Sequence, residues 1–134
     1  MPAVNLQPIY DELGALLRRH AKPFVETDHW EGSQAKTKKP TLLLVCKEKV
    51  SINGRPPQAM MFAGAMLQKN YVAFHFLPIY GAPKLFKLSP RLKKLLKGKA
   101  CFQIKAWDAE LRQELDALLT QGASAFRKLG WLKK

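Results

Sequence analysis

Two apolar runs, residues 60–68 and 71–79, are separated by only Lys69-Asn70. A link that short joins antiparallel strands, because a parallel return needs a crossover of about a dozen residues or more. Asn suits the link, since it tolerates the positive φ of a tight turn. The second run alternates. Val72, Phe74 and Phe76 fall on one face, and Tyr71, Ala73, His75 and Leu77 on the other. This hairpin is the fixed point around which the rest must fold.

A third strand is expected at 41–50, where Leu42, Leu43, Leu44 and Val45 run together as in a strand covered on both faces. Asn53-Gly54 is a tight-turn signal, and Pro56-Pro57 belongs to a turn or an edge. Residues 100–105 give a short further strand with Phe102 and Ile104 on one side.

Three segments read as helices. Residues 7–21 carry Pro8 at the start, Asp11 and Glu12 in the expected first turn, and the stripe Ile9, Leu13, Leu16 and Leu17. Arg18, Arg19, His20 and Lys22 favour its C-terminal end, and Pro23 stops it. Ser89-Pro90 opens a short helix with Leu92, Leu95 and Leu96 inward and Gly98 as the expected cap. Asp108 caps a long helix over 109–130, with the stripe Leu111, Leu115, Leu118, Leu119, Phe126 and Leu129. The expectation is one α+β domain over 1–134. A mostly antiparallel sheet of about four to five strands is flanked by N-terminal, short central and long C-terminal helices, with 31–40 as an exposed loop.

Charge is the second constraint. The chain has 23 Lys and Arg against 10 Asp and Glu, a net charge of +13. Residues 32–107 hold 15 of the basic side chains and one acid, Glu48. A field of one sign attracts nucleic acid, acidic protein or phosphate, and says nothing about fold. The densest part is Lys84, Lys87, Arg91, Lys93, Lys94, Lys97, Lys99 and Lys105, with Arg91, Lys94 and Lys97 at helical i, i+3 spacing. The first seven of those cations, Lys84 to Lys99, are the candidate anion-binding residues. Phe86 and Phe102 read as core, so the aromatic interleaving of single-strand binders is missing, and no recognition helix offers base readout. Binding to nucleic acid would therefore be nonspecific and salt-dependent. The leucines of this stretch suffice to dock a short helix on a sheet, which disfavours a membrane-surface reading.

The N-terminus lacks the basic and apolar regions of a secretory signal, and no apolar run approaches the length of a membrane span. The expected location is the cytoplasm. Cys46 and Cys101 lie in strand-like runs and read as reduced core thiols. Dinucleotide, phosphate-loop, zinc-protease, nucleophile-elbow and Cys-x-x-Cys motifs are absent, so no catalytic residue, metal ligand or cofactor is assigned. An alternative site is a small-molecule or metal-handling pocket near Tyr71, His75 and Tyr80, with Lys69 at its rim.

Phe62-Ala63-Gly64 and Lys69-Asn70-Tyr71-Val72-Ala73-Phe74-His75-Phe76-Leu77-Pro78-Ile79-Tyr80 form one recognisable block. Leu88-Ser89-Pro90-Arg91-Leu92-Lys93-Lys94 and Gly98-Lys99-Ala100-Cys101-Phe102 form another. Together, over roughly residues 60–128, they resemble the YdhG-like domains, a bacterial family of unknown function. The resemblance implies an α+β domain with an antiparallel sheet flanked by helices. One branch of that family is described as frataxin-like intracellular iron chaperones. Iron sites of that kind use carboxylate-rich surfaces. This chain has no acid between Glu48 and Asp108, so the iron role is not carried over.

Overall fold

The computed structural model describes residues 6–27, 41–50, 54, 58–81, 83–98 and 101–132. Within them the hairpin forms as its sequence requires. β3 (Gln58–Leu67) pairs antiparallel with β4 (Val72–Phe76), with Gly64 opposite His75 and Ala65 opposite Phe74. The Gln68 N–H donates to the Tyr71 carbonyl at 2.9 Å to close the turn. β2 (Thr41–Val50) adds to the free side of β3, and β6 (Cys101–Ile104) to the free side of β4.

Two short strands raise the count to six. β1 (Phe24–Thr27) lies outside β2 and β5 (Leu96–Lys97) outside β6, giving the order β1-β2-β3-β4-β6-β5 with every pair antiparallel. Four and two residues are too few to display a period, so these strands were not legible in advance. They form because a neighbouring strand offers a ladder. β4 also stops at Phe76, short of the expected residue 79. Pro78 has no N–H to give a ladder and instead starts a one-turn helix, α2 (Pro78–Gly81).

Alternation fails at one informative place. Leu44 faces Ala63 but Val45 faces Met61, so Phe62 is the extra residue of a β-bulge. The bulge turns both Phe62 and Ala63 to the same side, where both are fully buried. Phe62 stacks on Phe24 at 4.3 Å between ring centroids and meets Phe126 at 5.4 Å and Phe76 at 6.0 Å edge-on. The aromatic core is thus centred on a residue that simple alternation would assign to the other face.

The two long helices, α1 (Gln7–Arg19) and α4 (Ala109–Leu129), cover that core face of the sheet. The stripe Ile9, Leu13, Leu16 and Leu17 is buried as expected. The helix begins at Gln7 as expected, but four and five residues on from that start Asp11 and Glu12 fall in its second turn rather than the first, and the Gln7 amide donates to Asp11 at 2.9 Å. At the other end of α1, His20 Nε2 and Asp116 Oδ1 of α4 lie 2.6 Å apart, tying the helices together. The expected α4 stripe is buried except for Leu129, which is 37% exposed in the last turn before the left-handed Gly130. Gly122 lets α4 cross closely over the sheet: a Cβ there would sit 2.6 Å from Phe76 Cζ and 2.9 Å from Pro78 Cγ.

α3 (Pro90–Leu95) is capped as the sequence suggests, the Ser89 hydroxyl accepting from the Leu92 N–H at 3.2 Å. Its other end differs from expectation. The helix stops at Leu95, Leu96 is extended and enters β5, and Gly98, with φ of 74°, turns the chain out of β5. The loop expected at 31–40, Asn53 and Pro56-Pro57 lie outside the described residues.

Candidate anion-binding site

The early end of α3 fixes the site. Because the chain leaves the helix at Leu95 and doubles back through β5 to β6, side chains from three elements meet at one edge of the sheet. There they line a depression of about 270 Å³. Arg91 and Lys94 come from α3, Lys97 from β5, Gln103 from β6, and Lys105 from the residues that follow, with Leu95 and Ala106 as apolar lining. Among the described residues, no acid lines it.

Three of the seven candidate cations therefore converge: Arg91, Lys94 and Lys97. Lys105, the last cation of the same run, joins them. Lys84, Lys87 and Lys93 are exposed outside the depression, and Lys99 lies outside the described residues. Lys97 arrives by a route other than the i, i+3 helix face, since its backbone is extended. Gln103 was not foreseen. Its only sequence signal is a polar side chain interrupting the strand pattern between Phe102 and Ile104.

Arg91 is held in place. Its Nη1 and Nη2 donate to Asp108 Oδ1 and Oδ2 at 3.0 and 2.8 Å, a planar two-point fork. Asp108 also accepts from the Leu111 N–H at 2.8 Å, so one carboxylate caps α4 and orients the guanidinium. The Arg91 hydrogen bonds, then the Leu111 N–H, hold the Asp108 carboxyl below its usual range. The same fork raises Arg91, with smaller contributions from the charges of Glu110 and Glu114. Three of the five guanidinium hydrogens are left over for another acceptor. Arg91 thus stands between a cationic depression and the acidic flank of α4.

The residues of the alternative site come from the β3–β4 turn, β4 and α2. Tyr71 stands at the head of β4 and His75 four residues along it, about 13 Å of strand away. Lys69 is exposed in the turn. Tyr80 belongs to α2, past the far end of β4, and its side chain lies outside the described set. His75 is half-buried on the sheet face opposite Phe74 and Phe76, paired with Gly64 and Cys101. Burial lowers its pKa. The unfolded imidazole therefore takes a proton at a higher pH than the folded one does. His75 should cost the fold stability as pH falls through about 6.5 toward 5. Urea melts across that range should show the wild-type midpoint falling more than that of His75→Gln; parallel midpoints would contradict it.

Cys46 is buried on the helix-covered face, and burial pushes its thiol up to about 11. Cys101 is half-buried, and burial raises it as well. β2 and β6 are three strand steps apart, about 14 Å of sheet, so the two thiols are out of disulfide reach. Among the described residues, no group of three or more His, Cys, Asp or Glu side chains is placed to hold a metal ion. No helix among them is long and apolar enough to cross a membrane.

Fold and site define an α+β domain with an antiparallel sheet and a cationic depression at one sheet edge. Searches for similar proteins, against family models, curated proteins and solved structures, found no match in any of the three.

Proposed function

We propose that this protein is a non-enzymatic binding module for a polyanion, nucleic acid first, acting in the cytoplasm through the basic surface around α3. The observation that supports the reading is the meeting of Arg91, Lys94, Lys97 and Lys105 at one depression that, among the described residues, no acid lines. Like charges brought together repel one another, and an anion relieves that repulsion while releasing its own counterions. The exposed Lys84, Lys87 and Lys93 extend the field beyond the depression. The YdhG-like resemblance belongs to this reading and supplies a fold without a ligand. An acidic protein is the competing polyanion.

Anisotropy of a labelled 20-base-pair DNA duplex, titrated with protein at several salt concentrations, tests the proposal. Binding should show no dependence on sequence. The plot of log affinity against log salt should have a slope of about −3 to −4 if four cations of this basic surface each meet a phosphate. Absence of binding at low salt, or binding indifferent to salt, would refute it.

A further inference from the structure

We propose that the depression between α3 and β6 is a site for a phosphomonoester dianion, such as the terminal phosphate of a nucleic acid strand or a small phosphorylated molecule. This rests on the polyanion reading and sharpens it. The cations of this surface are of two kinds. Lys84, Lys87 and Lys93 stand exposed outside the depression, an arrangement suited to the singly charged diesters of a strand. Arg91, Lys94, Lys97 and Lys105 instead ring one concavity of about 270 Å³. Converging cations favour a group that carries close to two charges on three terminal oxygens over one that carries a single charge.

The lining fits that group in other respects. Arg91 is oriented by its fork to Asp108, so little of its freedom is lost on binding, and its remaining donors match phosphate oxygens. Gln103 adds a neutral amide, which donates without adding charge. Leu95 and Ala106 supply apolar lining for whatever carries the phosphate.

The test compares two DNA 12-mers of one sequence, each with a 3′ fluorophore, one bearing a 5′-phosphate and the other a 5′-hydroxyl. Ribose 5-phosphate serves as the small competitor. The phosphorylated strand should bind at least about fivefold more tightly, a difference of about 1 kcal/mol. Lys97→Gln with Lys105→Gln should abolish that ratio. Lys84→Gln with Lys87→Gln should weaken both strands alike and preserve it. All four side chains are exposed, so these variants should fold. Displacement by millimolar ribose 5-phosphate without an end preference would place the dianion on a small molecule and still support the site. Equal, salt-dependent affinity for both strands with no displacement would overturn the site and leave the polyanion reading standing. Binding of ribose 5-phosphate alone, with neither strand bound, would support the site and overturn the polyanion reading. No binding of any probe at low salt would overturn both.

Discussion

Phe62→Ala is expected to destabilise the fold by about 3–5 kcal/mol, a large part of the roughly 5–15 kcal/mol that holds a domain of this size together. The ring is fully buried and is the meeting point of β1, β4 and α4 through Phe24, Phe76 and Phe126. Truncation removes three aromatic contacts at once. The cavity it leaves lies at a bulge whose backbone is pinned, since the Leu77 N–H donates to the Phe62 carbonyl at 3.0 Å. The surroundings are therefore poorly placed to collapse into the gap. Urea denaturation should show the midpoint falling with the slope unchanged. Leu85→Ala, at a side chain 51% exposed, should stay within about 0.5 kcal/mol of wild type and serves as the reference. A Phe62→Ala loss below about 1 kcal/mol would mean that the ring is not the hub its contacts indicate.

The second large effect concerns binding. Lys94→Glu with Lys97→Glu should lower affinity for the 20-base-pair duplex by at least about tenfold near 0.1 M salt and flatten the salt slope by about 2. Both side chains are exposed, on α3 and β5 respectively, and both line the depression. Reversal places two carboxylates beside Arg91, which already faces Asp108 and the charges of Glu110 and Glu114. The guanidinium would then sit among acids on both sides, and an incoming phosphate would meet repulsion where it met attraction. The urea midpoint should move little. Unchanged duplex affinity in this variant would show that the basic surface around α3 is not where the polyanion binds.

Most of the scaffold was readable from local pattern. The two-residue link at Lys69-Asn70 dictates the β3–β4 pairing, and the register confirms it. Ser89 and Asp108 cap the helices that their sequence positions suggest. What escaped reading was short or depended on a distant partner. β1 and β5 exist as strands only beside β2 and β6. The bulge at Phe62 appears only when the register of β2 against β3 is known. The fork from Arg91 to Asp108 spans 17 residues that no helical or strand period connects. Part of the candidate site was visible as a run of cations, but a run does not distinguish those that converge from those that point into solvent.

By itself, the sequence determined the class of fold, the hairpin at its centre, the faces of the long helices and the segment that holds the charge. Each follows from spacing between near neighbours, which a chain carries in one dimension. Only the tertiary structure decided that α3 ends at Leu95 and that the chain folds back through β5. That turn brings Lys97, Gln103 and Lys105 against Arg91 and Lys94. The physical reason is that helix ends and edge strands are settled by competition between local propensity and the ladder a neighbour offers. β6, placed by β4, decided that competition.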